Sequence, residues 1–85
     1  MASYRLLIKP SAANELEALP RKDRVRVVAR IQQLAAEPRL PSCEKLSGQE
    51  NYRIRQGHYR VLYSIDDVEL SVIGVKIGHR RDVYR

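Results

Sequence analysis

The chain has no tryptophan and no phenylalanine, and its aromatic content is five tyrosines. An apolar core is therefore expected to come from Leu, Ile, Val and Ala. The single cysteine, Cys43, excludes a disulfide within the chain, and one Cys with two His leaves no metal-ligand cluster. That usage fits a reducing cytosol. No apolar run approaches the roughly 20 residues of a membrane span. Leu6-Leu7-Ile8, followed by Lys9 and Pro10, is too short for a signal peptide. The expectation is a soluble cytoplasmic protein that binds no membrane, no metal and no cofactor. A glycine-rich phosphate loop, a supported Ser/His/Asp set and a carboxylate pair on a basic face are also missing. Asp66-Asp67 reads as turn chemistry.

What the chain does have is positive charge. Eighty-five residues carry a formal net charge of +6, with a pI near 9.9. This length makes one small domain, 1–85, with modest core area. The charge favours a polyanion such as nucleic acid, or an acidic protein.

Hydrophobic spacing gives the elements. Tyr4, Leu6 and Ile8 alternate over 3–9 as a first strand. Ser11 is an expected N-cap for a short helix over 12–19, with Leu16 and Leu19 facing the core. Pro20 suits the opening turn of a second helix, in which Val27, Val28, Ile31, Leu34 and Ala35 recur at three and four. Pro38 stops it. Residues 39–51 read as a loop, with Leu46 tucked inward and Lys45 reaching outward.

The stretch 52–63 reads as a β-hairpin turning at Gln56-Gly57. Alternation puts Tyr52, Ile54, Tyr59, Val61 and Tyr63 on one face, and Arg53, Arg55, His58 and Arg60 on the other. With this turn Arg53 faces Arg60, and Arg55 faces His58. Opposed like charges weaken a sheet, so such a patch suggests an anionic ligand. The alternative is a solvated face whose arginine stems cover apolar surface. The last strand spans 70–77. Ile73, Val75 and Ile77 are expected to face the helices, and Gly74 and Lys76 to share the side of Arg53 and Arg60. His79, Arg80, Arg81 and Tyr84 follow as a basic tail. The predicted fold is α+β, in the order β-α-α-β-β-β: an antiparallel sheet with a two-helix hairpin on one face.

Lys45-Leu46-Ser47-Gly48, Tyr52-Arg53-Ile54-Arg55, Gly57-His58-Tyr59-Arg60-Val61-Leu62-Tyr63 and Ile77-Gly78-His79-Arg80-Arg81-Asp82-Val83-Tyr84 occur in this order. Together they resemble the RelE/ParE superfamily of toxins from bacterial type II toxin–antitoxin systems, and the RelE branch in particular. The resemblance implies a cognate antitoxin partner in a hetero-oligomeric complex. For the RelE branch it implies an endoribonuclease that cuts mRNA on the ribosome. The family's basic site positions fall on Arg53, Arg55, Arg60 and Arg80, and its C-terminal tyrosine on Tyr84. Members often carry lysine where Arg53 and Arg55 stand, and an arginine is not a usable general base.

On this reading the RNA 2′-hydroxyl attacks the adjacent phosphate. Arg60 and Arg80 clamp that phosphate and stabilise the added charge. Arg53 and Arg55 hold the backbone, Tyr84 stacks on or orients a nucleotide, and His79 moves a proton, with His58 the second choice. Lys45, Lys76 and Arg81 add RNA contacts. Two alternatives stay open: a ParE-like toxin acting on a topoisomerase without RNA cleavage, and a non-catalytic basic binding domain.

Overall fold

A computed structural model describes residues 3–46 and 51–79. The order is β1 (Arg5–Ile8), α1 (Pro10–Glu17), α2 (Arg21–Ala36), β2 (Glu44–Lys45), β3 (Asn51–Gln56), β4 (Tyr59–Asp66) and β5 (Ser71–His79). The strands form one five-stranded sheet in the order β1-β5-β4-β3-β2. The α+β class and the helical hairpin agree with the sequence expectation. The sheet differs in being mixed. β1 runs parallel to β5, from Arg5↔Ser71 to Ile8↔Gly74, while the other pairs are antiparallel. Glu44–Lys45, expected in a loop, adds an edge strand.

Proline sets the helix boundaries. Pro10 is at the start of α1 with Lys9 as the N-cap, two residues before the expected Ser11. Pro20 serves as N-cap of α2, and α2 ends at Ala36, two residues before Pro38. Val27, Ile31 and Leu34 of α2 and Ala12 of α1 bury against Ile54, Val61, Ile65, Val72 and Ile77 of the sheet. Tyrosine also enters the core. Tyr52 and Tyr63 are buried, with ring centroids 5.8 Å apart. Each satisfies its hydroxyl: Tyr63 Oη donates to the Pro38 carbonyl at 2.8 Å, and Tyr52 Oη accepts from Arg39 Nε at 3.1 Å. Burial pushes the Tyr63 phenol far above its ordinary pKa.

Two register features decide what each face presents. The β3–β4 turn is Gly57-His58, not Gln56-Gly57, so Gln56 pairs with Tyr59 and Arg55 with Arg60. Gly57 has φ +62° and His58 has no positive φ, the sign pattern of a type II′ hairpin with glycine first. In β5, Leu62 pairs with Lys76 and Tyr63 with Gly74, passing over Val75. This bulge changes the phase of the strand. Val72 and Ile77 are therefore both buried in the core, and Ile73 and Val75 are not, against the expected Ile73-Val75-Ile77 set.

β1 ends at Ile8, so among the described residues the second half of β5 has no strand on that side. Glu15 of α1 takes over. Its Oε1 accepts the Ile77 backbone N–H at 3.0 Å, and its Oε2 accepts Lys76 Nζ at 2.7 Å. At the other end, Arg39 donates to both carboxylate oxygens of Asp67 (3.1 and 2.9 Å), and Tyr4 Oη donates to Asp67 Oδ1 at 2.8 Å. This carboxylate fastens the loop after α2 and the start of β1 to the β4–β5 turn.

Candidate functional site

The helices cover one face of the sheet. The other face carries arginine. In β3, Tyr52 and Ile54 are buried toward the helices, so the alternate residues Arg53 and Arg55 project from the opposite side. In β4, Val61 and Tyr63 are buried, so Arg60 and Leu62 alternate with them onto the arginine side. Arg55 stands directly across from Arg60, and Arg53 across from Leu62. On its other flank Arg60 pairs with Gly78, which contributes no side chain. Arg55 is exposed, whereas Arg60 is only 3% exposed. Withdrawing a guanidinium that far from water is costly unless nearby groups compensate the charge.

Glu44 is part of that environment. It pairs with Arg53 across the β2–β3 ladder, and its Oε2 accepts Arg53 Nη2 at 2.9 Å. The Arg53 hydrogen bond and charge, with the charges of Arg55 and Arg60 behind them, hold the Glu44 carboxyl below its ordinary pKa. All three arginines act on its titration. Sequence reading missed it, because β2 is only two residues long and gives no alternation to follow. The available signal was its place directly before Lys45-Leu46.

The remaining expected site residues divide. Lys45 pairs with Tyr52 and not with an arginine, so alternation sends it to the other side of the edge from Glu44. Lys76 is engaged by Glu15 of α1. Leu46, expected in the core, lines with Asn51, Leu62 and Val75 a shallow depression of about 160 Å³. His79 pairs with Tyr59 and meets its ring edge-on, with centroids 5.9 Å apart. Tyr59 Oη donates to Asp23 of α2, so this is the helix side of the sheet. His58, in the turn, stacks on His79 with centroids 6.0 Å apart. The two histidines thus form a pair at the hairpin end, away from the face of Arg53, Arg55 and Arg60. Arg80, Arg81 and Tyr84 lie outside the described residues. Among the described residues, no group of three or more His, Cys, Asp or Glu gathers to hold a metal ion, and no helix is long and apolar enough to cross a membrane.

A mixed sheet with a helical hairpin on one side is the fold expected of the toxins that the sequence resembles. Residues 6–84 match the family model described as ParE toxin of type II toxin-antitoxin system, parDE. The chain belongs to this toxin family. It is 33% identical over 86 residues to Toxin RelG of Mycobacterium tuberculosis, covering 96% of this chain and 97% of that protein. In three dimensions it is similar to the toxin–antitoxin complex RelBE2 of M. tuberculosis (TM-score 0.81, 30% identity, 92% of this chain and 99% of that one). It is also similar to the isolated E. coli RelE toxin (TM-score 0.82, 25% identity, 96% and 92%) and to the archaeal RelE-RelB complex of Pyrococcus horikoshii (TM-score 0.81, 29% identity, 92% and 96%). The chain is therefore a toxin of a type II toxin–antitoxin system, with the RelE fold.

Proposed function

We propose that this toxin is a ribosome-dependent endoribonuclease that cleaves mRNA in the cytoplasm, held in check by a cognate antitoxin in a hetero-oligomeric complex. The observation that carries the reading is the collection of Arg53, Arg55 and Arg60 on the sheet face opposite the helices, with Arg60 almost wholly withdrawn from water. Guanidinium forks match phosphate oxygens two at a time. Arg60 is the central clamp for the scissile phosphate, joined by Arg80 of the tail. Arg53 and Arg55 grip the flanking backbone, and Tyr84 orients a nucleotide. The 2′-hydroxyl displaces the 5′-oxygen, leaving a 2′,3′-cyclic phosphate and a 5′-hydroxyl. The arginines favour the extra negative charge of the transition state. The antitoxin is expected to present an acidic or amphipathic segment, complementary to a chain of net charge +6.

The test is induced expression with and without the antitoxin, followed by primer extension on a translated message. New 5′ ends that require translation and vanish in Arg60→Ala support the reading. Their absence from wild type during growth arrest removes it.

A second reading is a toxin directed at a topoisomerase. The description of the matching family as a ParE toxin favours it; the arginine face favours the nuclease. Growth arrest that survives Arg60→Ala and Arg80→Ala, with intact messages, would select this second reading.

A further inference from the structure

The nuclease reading leaves a proton unassigned. The attacking 2′-hydroxyl must lose one, and no arginine will accept it at neutral pH. His58 and His79 stack on each other at the hairpin end, on the side of Tyr59 and Asp23. Lys76 is committed to Glu15. Among the described residues, the arginine face holds one proton acceptor beside its cations, and that is Glu44.

We propose that Glu44 is the general base of RNA cleavage, taking the proton of the 2′-hydroxyl on its Oε1. This rests on the nuclease reading and supplies the step that reading lacks. The geometry is specific. Glu44 is the cross-strand partner of Arg53, so the β2–β3 ladder fixes its backbone beside the site. Oε2 is tied to Arg53 Nη2 at 2.9 Å, which orients the carboxylate. Among the described residues none donates a hydrogen bond to Oε1, and the side chain is 49% exposed, so substrate can reach it. The carboxyl is ionised at neutral pH, its pKa held below the ordinary value by the Arg53 hydrogen bond and charge.

The step balances. The O–H bond of the 2′-hydroxyl breaks and its proton goes to Glu44 Oε1. The freed oxygen pair forms the P–O2′ bond. The P–O5′ bond breaks, and the leaving 5′-oxygen takes a proton from water. The arginines lower the basicity of Glu44, but they also lower the pKa of a hydroxyl placed beside a phosphate they bind.

The experiment measures single-turnover cleavage of a defined message on purified translating ribosomes, at saturating toxin, for wild type, Glu44→Gln, Glu44→Asp and Arg53→Ala. Glutamine keeps a carbonyl oxygen to accept the Arg53 hydrogen bond and cannot take up a proton. The saturating rate of Glu44→Gln is expected to fall about 100-fold or more. Binding to the programmed ribosome should be unchanged or tighter, since a negative charge has left a cationic face. Glu44→Asp should recover part of the rate. A Glu44→Gln enzyme within about threefold of wild type would overturn the proposal and leave Glu44 as a tether for Arg53. Loss of ribosome binding with an unchanged saturating rate would overturn it equally. If wild type itself does not cut the message, the nuclease reading fails first and this inference with it, an outcome distinct from a wild type that cuts and a Gln variant that cuts as well. The thermal midpoint of each variant establishes that it is folded.

Discussion

Arg55 and Arg60 stand directly opposite each other across the β3–β4 ladder, one exposed and the other buried. Two like charges in a cross-strand pair oppose sheet formation by a few tenths of a kcal/mol up to about 1. Arg55→Thr is therefore expected to raise folding stability by about 0.5 kcal/mol in low salt. The gain should shrink at high ionic strength, where exposed charges are screened. Urea unfolding at two salt concentrations measures it. On the proposed nuclease reading the same substitution should weaken RNA binding, so stability and affinity move in opposite directions.

Arg60 is the more consequential of the pair. Losing a charge-assisted hydrogen bond formed in the transition state costs about 1.5–3 kcal/mol, so Arg60→Ala should cut messages about 10- to 100-fold more slowly. Arg80→Ala should do the same. Arg60→Lys is expected to recover little, since an ammonium cannot make the forked pair. Circular dichroism before and after substitution separates a chemical defect from an unfolded one.

Glu15 holds two groups at once, and its variants should separate them. Glu15→Gln keeps an acceptor for the Ile77 N–H and loses only a surface ion pair, a change of about 0.2–1 kcal/mol. Glu15→Ala also strips the partly buried Ile77 amide of its acceptor and should cost about 1–3 kcal/mol. Burial works to raise the Glu15 pKa, but the Lys76 and Ile77 hydrogen bonds outweigh it and leave the carboxyl below its ordinary 4.5. A depressed folded pKa stabilises above the unfolded value and is lost as pH falls through the folded one. The gap between wild type and Glu15→Gln should thus be full at pH 6–7 and close below about pH 4.

Asp67 obeys the same sign. The Arg39 hydrogen bonds, followed by that of Tyr4, hold it below its ordinary 3.8. Asp67→Asn should lower the thermal midpoint near neutral pH and become indistinguishable from wild type as the acid is protonated. Calorimetry from pH 3 to pH 7 checks the direction.

Gly57 sits at φ +62° with open space around its Cα. A side chain there meets backbone strain and no clash. Gly57→Ala should cost about 1–2 kcal/mol, measured by chemical denaturation. It should leave the arginine face in place, because the turn sets partners and alternation sets faces.

That distinction explains what could be read from the sequence. Arg53, Arg55 and Arg60 were assigned to one face correctly, since a two-residue shift in pairing leaves every side chain on its original side. Their partners were misassigned, because Gln56-Gly57 and Gly57-His58 are both plausible two-residue turns, and the choice depends on which position carries positive φ. His58 left the strand as a result. The phase of β5 was hidden by the bulge at Val75, which no single alternating pattern can represent. Lys76 was drawn to Glu15, a partner 61 residues away in the chain. Glu44 was missed because a two-residue strand is visible only as pairing with β3. The helices were legible because the spacing in α2 is strong and proline marks its boundaries.

The parallel pairing of β1 with β5 joins the first strand of the fold to the last, as in Arg5 with Ser71. A growing polypeptide has no strand to pair with β1 until residues 71–79 have been synthesised. The sheet also lacks Gly78 beside Arg60 until then. Synthesis of β5 is thus a precondition for assembling the arginine face, and a translation product that stops before it should be inert as well as unstable.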